Sequence, residues 1–285
     1  MVILIQPIFW LLLAGLCLPQ ALVAQVLTDP NQVTFFAKDY SFHGPASIPG
    51  GWQTIRLMNQ GRDFHQVQFL KLPPGKTSAD FEQALKAKNF RQIPPWVHRY
   101  GGVNSVPPGS EARAILNLVP GEYVLICGIP DIEGRAHVVH GMISSVSVTP
   151  PPTSSPPPPH ADIIIRGGDF SFVVEGPLTP GPHIIQFRND GAQAHEILVL
   201  KLQPWASTQS FLKTYRPGGT PNPTGETIGG VVGLDPGLES YFPLDLEPGR
   251  YGLLCFLRDP ATGAPHFTLG MWFDFEVQPD GDARP

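Results

Sequence analysis

Cysteine is scarce in this chain of 285 residues: there are three, Cys17, Cys127 and Cys255. Too few exist for a disulfide-stapled scaffold. Charge is thin as well, at 15% of residues with a net charge of −5. No basic patch is evident, and without one phosphates go unneutralised, which argues against a nucleic-acid partner. After the N-terminal segment no stretch is long and apolar enough to span a bilayer. Histidine occurs nine times but never as His-x-His.

The first 24 residues contain no Asp, Glu, Lys or Arg. They hold an apolar run from Phe9 to Leu18 and end in Ala21-Leu22-Val23-Ala24. This reads as an export signal (1–24) cleaved after Ala24, placing the protein in a periplasmic or extracellular space. Two features are irregular: the start carries no Lys or Arg, and Leu22 is bulky for its place. A retained N-terminal anchor is the alternative. Cleavage removes Cys17 and leaves Cys127 and Cys255.

Proline (34) and glycine (30) are abundant, as in chains of short strands joined by turns. Residues 150–160, with Pro150 to Pro152 and Pro156 to Pro159, read as an extended proline-rich linker that joins no core. The segments on either side, 27–149 and 161–279, match each other. Asp39-Tyr40-Ser41-Phe42 parallels Asp169-Phe170-Ser171-Phe172, and Asn59, Gly61 and His65 parallel Asn189, Gly191 and His195. Gly101-Gly102-Val103 parallels Gly229-Gly230-Val231. Pro120-Gly121 with Tyr123 and Cys127 parallels Pro248-Gly249 with Tyr251 and Cys255, and His137, Gly141 and Met142 parallel His266, Gly270 and Met271. Two repeats of this length mean two domains.

Each repeat reads as β. Expected strands cover 33–36, 54–58, 66–72, 114–118, 123–127 and 143–148, then 163–165, 183–187, 196–202, 239–244, 251–255 and 272–277. One short helix is expected per repeat, over 78–87 with Ser78 or Asp80 as cap, and over 208–215. The fold class is therefore all-β: two tandem Greek-key sandwiches, each with one short helix. Tyr123 and Tyr251 have the placement of corner tyrosines that brace such a fold.

Cys127 and Cys255 fall at equivalent points of the two repeats, which places them poorly for a disulfide with each other. Two unpaired thiols outside the cytoplasm need another role, and metal ligation leads. The residues that repeat are those that bind copper: two imidazoles and a thiolate in a plane, with a distant thioether. The first set is His65, Cys127, His137 and Met142; the second is His195, Cys255, His266 and Met271. Soft sulfur suits Cu(I) and imidazole suits Cu(II). A single Cys–His–Met loop can wrap three ligands round one ion, while the first His arrives on another strand. For a lone Cys, His or Met the ordinary reading is core packing. Recurrence of the full set in register outweighs it.

The runs Gly121-Glu122-Tyr123-Val124-Leu125-Ile126-Cys127 and His137-Val138-Val139-His140-Gly141-Met142 resemble the cupredoxins, relatives of plastocyanin and copper nitrite reductase. So do Gly249 to Cys255 and His266 to Met271. The resemblance covers both repeats. It implies cupredoxin-like sandwiches, up to two coppers per chain cycling between Cu(I) and Cu(II), one-electron transfer, and a redox partner protein. It also leaves open a two-domain copper oxidase or nitrite-reductase-like enzyme, copper storage or delivery, and a metal-free binding module. The missing His-x-His pairs weigh against the enzyme. The Cys-to-His interval is 137 − 127 = 10 in one repeat and 266 − 255 = 11 in the other, longer than in plastocyanin-like loops. Gln66 and Glu196 stand where many relatives place the Asn that braces the Cys loop, a departure from the pattern of those relatives. Glu196 is expected to add negative charge near its metal. His140, His43, His98, His160 and His183 read as surface or core histidines.

Overall fold

The computed structural model describes residues 31–279, apart from 91, 155, 219 and 220. The expected export signal, with Cys17, lies outside the described residues.

The first repeat contributes β1 (Gln32–Lys38), β2 (Ser41–His43), β3 (Ser47–Pro49), β4 (Gly51–Asn59) and β5 (His65–Lys71). It continues through α1 (Ser78–Ala87), β6 (His98–Val106), β7 (Glu111–Leu118), β8 (Gly121–Ile126) and β9 (Ile143–Thr149). The second has β10 (Ile163–Gly168), β11 (Ser171–Glu175), β12 (Gly181–Asn189), β13 (His195–Leu202) and α2 (Thr208–Thr214). It ends with β14 (Gly225–Leu234), β15 (Glu239–Leu246), β16 (Gly249–Leu254) and β17 (Trp272–Val277).

These strands form two sheets, and each sheet runs through both repeats. One has the order β11-β10-β12-β15-β7-β4-β1-β2, the other β17-β16-β13-β14-β6-β5-β8-β9-β3. Apart from β3 the orders are palindromic in the repeat. The repeats meet strand against like strand, antiparallel, at β6–β14 and β7–β15. Val103 pairs with Val231, its own counterpart, so a pseudo-twofold axis passes between them. The join between the repeats is main-chain pairing together with polar contacts. Gln68 Nε2 donates to Gly101 O (3.0 Å) and to Gly233 O of the other repeat (2.9 Å). Asp235 accepts from the Arg99 backbone N–H at 3.1 Å.

Alternation along the strands builds two layers of core. Val67, Phe69, Tyr123 and Leu125 face the opposite sheet, as do Ile197, Val199, Tyr251 and Leu253 in the second repeat. All belong to one cluster that crosses the junction. Leu70, Val124 and Ile126 face outward and are covered by Phe81 and Leu85 of α1. Leu198, Leu200 and Leu254 are covered by Phe211 of α2 and Ala206. Burial on both faces is why β8 and β13 read as nearly unbroken apolar runs. Each large core side chain contributes roughly 2–3 kcal/mol by leaving water.

The repeated glycine pair sits where β6 and β14 lie closest to the neighbouring strand. Gly102 has φ 144° and Gly230 φ 124°, and a Cβ would fall 1.8 Å from Val67 O and 2.0 Å from Ile197 O. No other residue fits there. The cap of α1 is Thr77, neither Ser78 nor Asp80: its Oγ1 accepts from the Asp80 N–H, and the Asp80 carboxylate accepts from the Thr77 N–H. Asp80 is thus the third residue of a capping box.

Candidate metal centres

His65 opens β5 and His195 opens β13, both fully buried, each beside the Cys loop of its own repeat, and the antiparallel pairing across the junction puts the two sets toward opposite ends of the nine-stranded sheet. Cys127 follows the last residue of β8, and Cys255 follows β16. The second His of each set begins a short 3₁₀ turn, His137–His140 or His266–Leu269, after which the chain enters β9 or β17 through Gly and Met. Main-chain bonds tie these loops shut. Met142 N donates to His137 O (3.2 Å), Cys127 N to Met142 O (3.3 Å), and Val138 N to Cys127 O (3.0 Å). The second loop repeats the pattern at 3.0, 3.3 and 3.1 Å. One extra residue in its Cys-to-His interval is absorbed before His266.

The geometry brings both triads together. His65, Cys127 and His137 present ligand atoms within 4.8 Å of one another, and so do His195, Cys255 and His266. The Nδ1 atoms of His65 and His137 are 3.2 Å apart, and Cys127 Sγ lies 3.9 and 3.4 Å from them. In the second site the Nδ1 pair is again 3.2 Å apart, with Cys255 Sγ 3.4 Å from His266. Met142 and Met271 are wholly buried beside these triads in the chain. Cys127 and Cys255 form no disulfide.

The ring orientation follows from two aspartates that sequence reading left without a role. His65 Nε2 is 2.7 Å from Asp39 Oδ1, and His195 Nε2 is 2.8 Å from Asp169 Oδ1. An ionised carboxylate only accepts, so each ring donates from Nε2 and keeps the Nδ1 lone pair free to bind. Repetition of Asp39 as Asp169 was the available signal. Gly61 and Gly191 have the same origin: a Cβ there would lie 2.7 or 2.6 Å from the His Nε2. Asn59 and Asn189 fasten the intervening turns, donating to Asp63 O and Val106 O, and to Gln193 O and Leu234 O.

Around the second His the sites differ. Tyr40 packs on His137 with centroids 4.7 Å apart and donates its hydroxyl to Asp63 (3.0 Å). Asp63 lies 3.7 Å from His137 Nε2, beyond hydrogen-bond reach, and that nitrogen is buried without a partner. In the second site Phe170 replaces Tyr40, and Gln193 Oε1 accepts from His266 Nε2 at 3.1 Å.

Chemistry of the donor set fits copper. Burial lowers His137 and His266 to about 4, so they are neutral and able to ligate. The same burial pushes the Cys127 thiol up to about 12 and Cys255 well above its usual value. Each sulfur does receive backbone N–H groups, Gln66 N reaching Cys127 Sγ at 3.5 Å, but no cationic side chain faces it. A bound cation supplies the missing charge and leaves the thiolate as ligand. Two imidazoles, a thiolate and a thioether match copper in both oxidation states. Each repeat therefore fits one ion, up to two per chain.

Glu196 differs from the expected charge beside a metal. Its carboxylate accepts from Phe256 N at 2.9 Å and so braces the Cys loop. Burial raises its pKa to about 7, so it carries less than a full negative charge at neutral pH. Gln66 takes the matching place against Gly128. His140 stays out of the first triad because its Nε2 is held by Asp131 at 2.7 Å. His183 is buried against Asp162 (2.6 Å), and His98 pairs with Asp235. The tyrosine corners form as expected: Tyr123 Oη donates to Val119 O (2.9 Å) and Tyr251 Oη to Glu247 O (2.8 Å). Among the described residues no other cluster of three His, Cys, Asp or Glu ligand atoms converges, and no helix is long and apolar enough to cross a membrane.

No protein-family model and no curated protein sequence matches the chain. Solved structures do align with it. Auracyanin from Roseiflexus castenholzii is 15% identical over 42% of this chain and 98% of its own, with a TM-score of 0.30. Copper nitrite reductase from Nitrosomonas europaea is 14% identical over 89% of this chain and 95% of its own, TM-score 0.25. The enzyme from Thermus scotoductus SA-01 is 14% identical over 89% of this chain and 63% of its own, TM-score 0.25. Likenesses this distant carry no weight for function. The cupredoxin-like description rests on the strand order and the placement of the donor residues.

Proposed function

We propose that this chain is an exported copper protein that holds one copper in each repeat and transfers single electrons. The observation that carries this reading is the pair of buried His–Cys–His triads with their Nδ1 atoms already turned to a common point. Bound copper supplies a one-electron couple. The protein's part is to keep the donors still. Asp39 and Asp169 lock one ring, the 3₁₀ turn locks the other, and main-chain bonds lock Cys to Met. Donors that barely move between oxidation states lower the cost of exchanging an electron. Complete burial of both triads keeps water out, which suits electron exchange better than chemistry on a bound substrate. The uncharged N-terminal segment supports export.

The test is to mix the reduced, copper-loaded chain with an oxidised one-electron acceptor and separately with a copper-free acceptor protein. Rapid reoxidation with full copper retention supports electron transfer. Loss of copper to the second acceptor, with slow reoxidation by the first, would establish a storage or delivery protein instead. Cell fractionation with antibody detection checks export.

A further inference from the structure

Beside the second His the two repeats differ in one coupled exchange. Tyr40 and Asp63 in the first correspond to Phe170 and Gln193 in the second, offset by 170 − 40 = 193 − 63 = 130. His137 and His266 each bring Nδ1 to 3.4 Å from the Cys sulfur. With a metal on Nδ1, the ring hydrogen of each sits on Nε2. In the second site that N–H has an acceptor, Gln193 Oε1 at 3.1 Å. In the first it has none, although His137 is wholly buried. A buried donor left without an acceptor is costly, so its presence needs a reason.

The acceptor is close by but engaged elsewhere. The Asp63 carboxylate stands 3.7 Å from His137 Nε2 and accepts from Tyr40 Oη at 3.0 Å. The Tyr40 ring is held on two sides, with centroids 4.7 Å from both His137 and His140. His140 is itself fixed by Asp131 at 2.7 Å. Burial, and after it the Asp63 charge, pushes the Tyr40 pKa up to about 12, so the hydroxyl remains a donor. The second repeat has no such arrangement. Phe170 packs on His266 at 5.2 Å without a hydroxyl, and Leu269 takes the place of His140. The remaining acidic groups near the His ligands match across the repeats. Asp39 and Asp169 hold the first His, and Asp131 and Asp259 lie near the second. Gln66 and Glu196 also differ, but on the Cys side of each site.

We propose that Tyr40 is a positioning residue for the first site: its hydroxyl withholds Asp63 from His137 and so makes the copper there easier to reduce. The proposal rests on the two-copper reading above. An imidazole whose N–H donates to a carboxylate is a more basic ligand and favours Cu(II). The hydroxyl opposes this in two ways. It occupies the carboxylate that the ring N–H would otherwise reach, and it draws off part of the carboxylate's charge. Both effects favour Cu(I), so the sign does not depend on which is larger.

The test is a spectroelectrochemical titration of the copper-loaded Cys255→Ser chain, in which only the first site reports. Tyr40→Phe should raise the preference for Cu(II) over Cu(I) about tenfold, lowering the midpoint by about 59 mV for one electron. Adding Tyr40→Phe to Asp63→Ala should leave the midpoint where Asp63→Ala alone puts it, because no carboxylate is left to release. A merely structural role for Tyr40 would not depend on Asp63 in this way. The bond is also read without redox chemistry, by NMR of the Zn(II)-loaded chain. The His137 Nε2–H resonance should move downfield in Tyr40→Phe and stay in place in the double variant. A midpoint that is unchanged or raised in Tyr40→Phe, or that shifts equally with Asp63→Ala present, would overturn the proposal. Copper loading with neither shift refutes this tuning alone. The downfield shift in a chain that takes zinc but no copper supports the Tyr40–Asp63 arrangement and refutes the copper reading alone. A chain that takes up neither metal refutes both.

Discussion

Replacing Asp39 by Ala should damage the first site and spare the second. The Asp39 carboxylate accepts from His65 Nε2 at 2.7 Å and from the Arg62 backbone N–H at 2.8 Å, with a longer contact to Asp63 N at 3.4 Å. Bonds to a charged group are worth about 1.5–3 kcal/mol each when buried. The Asp39 side chain is 25% exposed, so water replaces part of the loss. A net destabilisation of the apoprotein by about 2–3 kcal/mol is expected. For the metal, the ring loses the partner that aims Nδ1 inward. Removal of such a partner typically costs 10–100-fold in affinity, or about 1.4–2.7 kcal/mol. The assay is chelator competition read at the thiolate-to-copper band, in a Cys255→Ser background so that only the first site reports. Asp39→Asn, which keeps an acceptor but not the charge, should fall between wild type and Ala. Copper affinity unchanged in Asp39→Ala, or an equal loss at the second site, would refute the claim that this carboxylate orients His65.

Three further outcomes follow from particular contacts. Asp131, held by the backbone N–H groups of Glu133 and Arg135 and by His140, titrates below the usual aspartate range, because these partners outweigh the effect of burial. A depressed folded-state value means that its stabilisation is present above the unfolded pKa of about 4 and is lost as pH falls from there through the lower folded value. Urea midpoints of Asp131→Asn should therefore lie below wild type at pH 7, and the gap should narrow progressively as pH falls below about 4. Tyr251→Phe removes a corner bond from a buried ring and should cost about 1–2 kcal/mol by denaturant unfolding, without changing copper content. Gly102→Ala forces a Cβ against Val67 O and should cost at least about 3 kcal/mol or prevent soluble expression, while Gly109→Ala, where nothing lies within 4 Å, serves as a control carrying only backbone strain.

The donor residues were legible because duplication supplied an internal alignment. His65 and His195, Cys127 and Cys255 recur in register, and that recurrence separates ligands from ordinary buried residues. Period-two patterning located most strands, and their apolar runs made sense once both faces proved to be covered. What escaped notice has physical reasons. β6 and β14 carry paired glycines that a strand reading discounts, yet those glycines exist because neighbouring backbone comes too close for a side chain. β2 and β3 are three residues each, too short for any periodicity. The join between repeats is main-chain pairing, which side-chain patterns do not record, and an extended proline-rich linker does not indicate it either. Asp39 and Asp169 stood inside a quoted repeat, but only the folded chain carries them 26 residues along to His65 and His195. Glu196 looked like a charge beside a metal, whereas burial and its bond to Phe256 make it a brace for the Cys loop.

The most direct test of the central claim is copper content per chain, measured together with visible absorption after loading with Cu(II). Two coppers per chain with intense thiolate-to-copper bands are expected, and Cys127→Ser and Cys255→Ser should each remove one copper and its share of the band. Folded protein with reduced thiols that takes up no copper and shows no band would contradict it.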